Sequence, residues 1–161
     1  MPAFPRHSIA WRVQARTPWQ RVSQALPWYG FGIGVLIRLY RWLVLAVIAP
    51  ETWTSILGTI AVGVVLMCGL ATTHFASFSL RSWRWRAPLL GLCIGAGDAV
   101  TSLLLTLLHK ERGGHALATL ADWPGAAVTV VLTRVLVVSL FAAVLAVVVT
   151  ALRKAEDALP E

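Results

Sequence analysis

The residues best suited to chemistry are four charged side chains that stand within long apolar runs: Arg38, Arg41, Asp98 and Arg134. A charged group at membrane depth costs about 3 kcal/mol or more unless it is paired or hydrated. Such residues therefore tend to pair with one another, to bind an ion or to line a transport pathway. Each of the four needs a structural or a functional explanation.

Asp98 has two candidate partners. Arg38 and Asp98 lie equally far from the predicted starts of their apolar runs, about 15 Å along a helix axis. This matched depth predicts an ion pair between them, with Arg134 as the alternative partner. The pair would either lock helices together or belong to a transport site. Three arginines against one aspartate also leave surplus positive charge, unless Arg41 reaches the interface or an outside anion compensates.

Asp98 also belongs to a row of small and polar residues at steps of three or four: Gly91, Gly95, Asp98, Ser102, Thr106 and His109. This spacing places them on one face of a helix. The two glycines let another backbone approach closely, and the hydroxyls can hydrogen-bond across a helix contact. We expect this face to pack against a neighbouring helix. The alternative is half of a polar pathway in which Asp98 carries a proton or coordinates a cation.

His74 and His109 are candidate ligands of a haem or a pigment. They belong to opposite ends of the predicted bundle, so they cannot form one bis-histidine site, and we expect His74 to be a hydrogen-bonded interfacial residue. The sequence has no GxSxG, Walker A or HExxH motif and no acidic cluster that would hold magnesium. We therefore expect no enzyme activity and no metal. No cofactor is indicated, although bound lipid is expected.

Four apolar runs are long enough to position these residues across about 30 Å of hydrocarbon, which takes about 20 helical residues. The predicted spans are about 28–49, 54–78, 88–109 and 124–152. Pro88 would occupy the first turn of the third span, where proline is well tolerated. A competing segmentation merges residues 42–71 into one span and gives three crossings.

The segments outside the spans carry the topological signals. Residues 1–27 form an N-terminal segment whose part after Pro18 is amphipathic and suits the membrane surface, and residues 153–161 form a tail. In the four-span arrangement, nine lysines and arginines lie on the side of both termini and two on the other side. The positive-inside rule then places both termini in the cytoplasm, as in a bacterial inner membrane.

Tryptophans at the predicted span ends support this arrangement, because indole rings prefer the headgroup level. We expect five interfacial anchors: Trp28, Trp83 and Trp85 at the cytoplasmic ends, and Trp53 and Trp123 at the opposite ends. The three-span alternative would leave Trp53 in mid-membrane.

Composition agrees with a membrane protein. Hydrophobic residues make up 58% of the chain and charged residues 13%, which excludes an ordinary soluble domain. The net charge of +7 is explained by topology and by contact with anionic lipid, so nucleic-acid binding is not expected. The sequence thus predicts an all-α, polytopic bundle of four transmembrane helices. The favoured function is a non-catalytic subunit that packs into a larger membrane complex, with a small oligomeric transporter or channel and a pigment- or haem-associated subunit as alternatives.

Overall fold

The computed structural model describes residues 24–47, 53–113 and 116–157. Within them the chain forms four helices: α1 (Leu26–Val47), α2 (Trp53–Ala76), α3 (Leu80–Leu107) and α4 (Trp123–Asp157). A two-residue antiparallel ladder, β1 (Arg112–Gly113) and β2 (Ala116–Leu117), lies in the α3–α4 connection. The predicted amphipathic segment after Pro18 lies almost entirely outside the described residues.

α3 is the central helix. It packs extensively against α1 and α4, whereas α2 makes most of its contacts with α1 and few with α3 or α4. Glycines allow this close packing, because side chains in their places would meet the neighbouring backbone. A Cβ atom at Gly91 or at Gly95 would lie 2.7 Å from a Cα atom of α4, and one at Gly34 would lie 2.7 Å from the backbone nitrogen of Asp98. The three helices α1, α3 and α4 therefore form the core in which the charged residues lie.

Two boundaries bear on the predicted spans. The structure describes α1 as Leu26–Val47 and α2 as Trp53–Ala76; residues 48–52 lie outside its described part, so the alternative of one span over residues 42–71 stays untested. α3 begins at Leu80 rather than near Pro88, and Pro88 lies inside the helix, so the prediction of a first-turn proline is wrong. Proline removes one backbone hydrogen bond, which frees the carbonyl of Arg84. Arg84 is exposed, so polar surroundings can satisfy that carbonyl.

Three stretches of the described chain are long and apolar enough to cross a membrane: Leu57–Ala76, Leu80–Leu107 and Trp123–Ala155. Their outer surfaces carry the large apolar side chains that lipid favours. Val65, Leu136 and Val147 are 70%, 59% and 69% exposed. The chain is therefore a helical integral membrane protein. α1 is a helix as predicted, but it is not among these three stretches, so the fourth crossing stays a prediction.

The short turn between α2 and α3 is covered by an aromatic cluster. Trp83 is 7% exposed, packs against Phe75 with ring centroids 5.2 Å apart, and donates from Nε1 to the carbonyls of Phe75 and Phe78 at 3.0 and 3.1 Å. Phe75 lies in the last turn of α2 and Phe78 just beyond it, and the carbonyl of Phe75 also accepts from the backbone N–H of Phe78 at 3.0 Å. Trp83 therefore closes the turn from inside the protein, a role that differs from the interfacial anchor that the sequence predicted.

Candidate functional site

Asp98 lies at the centre of the bundle with only 1% of its surface exposed, and both of its carboxylate oxygens face arginines. Oδ2 accepts hydrogen bonds from Nε and Nη2 of Arg134 at 3.1 and 2.8 Å. Oδ1 lies 3.4 Å from Nη1 of Arg38. The structure thus brings together the three residues that the sequence selected. The shorter contacts come from Arg134, which was the alternative partner.

Arg38 makes its shorter contacts elsewhere. Its Nη2 donates to the hydroxyl of Ser102 at 2.7 Å and to Oε1 of Glu111. The residue is 8% exposed, so this guanidinium is shielded almost completely from the surroundings of the protein. We call Arg38, Asp98, Glu111 and Arg134 the buried charge network. It joins α1, α3 and α4 with the turn that follows α3, and its two positive and two negative charges balance.

Glu111 reaches the network because α3 ends in a Schellman-type turn. The backbone N–H of Lys110 donates to the carbonyl of Leu105 at 2.8 Å, and that of His109 donates to the carbonyl of Thr106 at 3.0 Å. His109 has a φ of 53°, the left-handed conformation that usually belongs to glycine in this motif. The turn folds the chain back over the end of α3, and the N–H of Glu111 also bonds to Leu105 at 3.2 Å.

The row of residues predicted on α3 contacts two neighbouring helices, α4 and α1, rather than one. Gly91 and Gly95 meet α4 near Val135 and Val131, whereas Ser102 accepts its hydrogen bond from Arg38 on α1. Thr106 donates to the carbonyl of Ser102 at 2.9 Å, within α3 itself. Asp98, with an arginine from each side, stands where the two contacts meet.

The remaining predicted site residues lie apart from the network. His74 is fully buried; it stacks on Tyr29 and packs at a tilt against Phe78, with ring centroids 6.2 and 4.9 Å apart, so a pigment or haem would have to displace an aromatic ring to reach it. His109 is exposed at its turn. No group of three His, Cys, Asp or Glu residues that could hold a metal ion is found in the part of the chain that the structure describes.

The tryptophans at the helix ends also differ among themselves. Trp28 and Trp85 are 79% and 68% exposed, and their place at a membrane interface stays a prediction. Trp123 is half-buried and donates from Nε1 to the carbonyl of Ala99 at 3.2 Å, so it ties the start of α4 to α3. Trp53 begins α2, and its side chain lies outside the described part of the structure.

A cavity of about 240 Å³ adjoins the network between α1, α2 and α4. Its polar lining comprises Tyr40, Arg41, Thr59, Thr129, Thr133 and Arg134. Arg134 therefore faces both Asp98 and the cavity. Arg41 makes no hydrogen bond or ion pair with any residue that the structure describes.

The geometry favours some kinds of chemistry over others. Both oxygens of Asp98 already face guanidinium groups, so a metal cation would meet positive charge and an occupied carboxylate. Counting Arg41 with the balanced network leaves one positive charge beside the cavity. The arrangement is thus suited to locking helices together and to attracting an anion.

Helical packing and this network define the chain as a small helical membrane protein with a buried ion-pair centre. Comparison with protein families, with curated proteins and with solved structures finds no match to the chain.

Proposed function

We propose that this protein is a non-catalytic integral membrane subunit that packs into a larger membrane protein complex. The observation that carries the proposal is the glycine content of α2. Positions 58, 63 and 69 of α2 are glycines, and a Cβ atom at any of them would meet nothing within 4 Å. By contrast, Gly34, Gly91 and Gly97 each lie against the backbone of a neighbouring helix.

Membrane helices use glycine where two backbones approach closely, and a glycine elsewhere only weakens the helix. The exposed glycines of α2, Gly58 and Gly69, are eleven residues apart along the sequence, about three helical turns, and so share one face. α2 is also the helix with the fewest contacts to the rest of its own chain. A helix from another subunit would supply the missing contact.

The test is purification from native membranes in a gentle detergent. Gly58→Leu and Gly69→Leu should each remove a stoichiometric partner that accompanies the wild-type chain. Val144→Leu, a matched change at a 62% exposed position of α4, should retain it. A wild-type chain that purifies alone, or glycine variants that keep the partner, would contradict the proposal.

A small oligomeric transporter is the second candidate function, favoured by the cavity beside the buried charge network. Asp98→Asn separates the two functions when flux into liposomes and co-purification are measured together. Lost flux with an intact assembly would count against the subunit. Lost assembly, with no flux through the wild type, would count against transport.

We also propose that α1 crosses the membrane and that both termini lie in the cytoplasm. Support comes from the basic residues at one end of the bundle: Arg81 and Arg84 are exposed beside the α2–α3 turn, and Arg153 and Lys154 are exposed near the end of α4. Fusing a reporter that is active only in the cytoplasm, or only outside it, to each terminus tests the topology. Opposite locations for the two termini would show an odd number of crossings.

A further inference from the structure

The cavity between α1, α2 and α4 lies within the bundle and not at its ends. Its lining residues on α2 and on α4 begin about 9 Å and end about 16 Å along the axis from the first residue of each helix, Trp53 and Trp123. α2 and α4 both begin at the same end of the bundle, so these depths coincide. The cavity therefore brings polar groups from three helices to one level below the interface.

The polar groups that line this cavity differ in which hydrogen bonds they can still form. The hydroxyls of Thr129 and Thr133 donate to carbonyls of their own helix at 2.9 and 2.7 Å. Arg134 uses Nε and Nη2 for Asp98, and its Nη1 donates to no described residue. Arg41 has the whole guanidinium group available at the edge of the cavity. The available donors therefore come mainly from the two arginines.

The distribution of charge around the cavity also favours an anion. Asp98 forms ion pairs with Arg38 and Arg134, and Glu111 forms one with Arg38, but neither carboxylate forms an ion pair with Arg41. Arg41 is exposed at the edge of the cavity, and a positive charge that faces lipid is costly without a counterion. Guanidinium groups pair best with planar or tetrahedral oxyanions, through two parallel hydrogen bonds.

We propose that this cavity binds an oxyanion, a phosphate or carboxylate group held by Arg41 and by the Nη1 of Arg134. The group belongs either to an anionic lipid that reaches between the helices or to a free anion. The inference does not depend on the proposed function, because a subunit and a transporter could both hold such a group.

The test uses the full chain in detergent micelles. Phosphatidylglycerol and phosphatidylcholine with the same acyl chains are titrated separately, and the first binding event is followed by native mass spectrometry. Inorganic phosphate is titrated in a second arm at constant ionic strength, with thermal stabilisation as the readout. Arg41→Gln removes the charge, and Arg153→Gln removes a charge at an exposed position of α4, as the matched control.

Gly63→Leu is the second variant. Gly63 lines the cavity, and a Cβ atom there meets nothing within 4 Å, so a leucine has room and would occupy the binding space without touching a charge. We expect Arg41→Gln and Gly63→Leu each to weaken binding at least about tenfold, while Arg153→Gln changes it by less than about twofold.

The two arms identify the source of the oxyanion. Selective loss of phosphatidylglycerol binding in the two cavity variants assigns a lipid headgroup, and selective loss of stabilisation by phosphate assigns a free anion. The proposal is overturned if wild-type protein shows no preference for phosphatidylglycerol over phosphatidylcholine and no stabilisation by phosphate. It is equally overturned if the cavity variants bind both probes as tightly as Arg153→Gln does.

Discussion

Replacing Asp98 by asparagine tests whether the buried charge network holds the bundle together. The change keeps the shape of the side chain and one acceptor oxygen, but it removes the negative charge between two arginines. Arg38 retains Ser102 and Glu111, whereas Arg134 has no hydrogen-bond acceptor other than Asp98 among the described residues. The variant therefore leaves the positive charge of Arg134, whose side chain is 16% exposed, without a counterion.

The expected loss of stability can be worked out from these contacts. Removing one partner of a buried ion pair costs about 3–5 kcal/mol. The remaining amide oxygen can still accept one hydrogen bond, which returns about 1 kcal/mol. We therefore expect Asp98→Asn to lower the free energy of unfolding by about 2–4 kcal/mol. Unfolding in mixed micelles by increasing fractions of a denaturing detergent, followed by tryptophan fluorescence, measures this change.

Two further variants make the result interpretable. Asp122→Asn alters an exposed aspartate that bonds Thr119, and it should change the free energy by about 0.5 kcal/mol or less. Adding Arg134→Gln to Asp98→Asn removes the stranded charge and should recover at least about 1 kcal/mol relative to Asp98→Asn alone. The reasoning is refuted if Asp98→Asn costs no more than Asp122→Asn, or if adding Arg134→Gln lowers stability further.

Four other substitutions test the helix packing and the turns by the same unfolding assay. Gly34→Ala would place a methyl group against the backbone of α3 and should lower the free energy of unfolding by at least about 2 kcal/mol. Gly69→Ala meets open space and should be neutral or stabilising. Equal effects of the two variants would contradict the packing at Gly34. His109→Gly should stabilise the turn by up to about 1 kcal/mol because glycine adopts the left-handed conformation without strain, and a loss would count against that turn. Trp83→Phe should cost about 1–2 kcal/mol, because the carbonyls of Phe75 and Phe78 lose the indole donor, and an unchanged stability would show that Trp83 does not close the turn.

The helices and the central ion pair were accessible from sequence for physical reasons. Apolar runs of sufficient length define membrane helices, and an isolated charge within such a run must find a partner at its own depth. That argument selected Asp98, Arg38 and Arg134 together. It could not rank the arginines, because their distances to Asp98 depend on how the helices rotate about their axes.

Glu111 was missed because it lies beyond the end of α3, between Lys110 and Arg112, where a charged loop residue is normally solvated. Only the turn at His109 directs it back towards Arg38, and no glycine marks that turn in the sequence. Trp83 was misassigned for a related reason. A tryptophan at a helix end can face lipid or close a turn, and the sequence alone does not show which carbonyls need a donor.

The composition of α1 gives an incomplete account of its place in the bundle. Hydropathy counts Arg38 as an isolated charge, yet in the folded protein its guanidinium contacts Asp98, Ser102 and Glu111, and only 8% of the residue is exposed. The free-energy cost of burying Arg38 is therefore reduced by its partners on α3 and on the turn that follows α3. Arg41, one turn further along α1, forms no ion pair with a described residue and lies at the cavity. The two arginines of α1 thus have different consequences: Arg38 joins α1 to its neighbours through the buried charge network, whereas Arg41 is the charge on which the proposed oxyanion site depends.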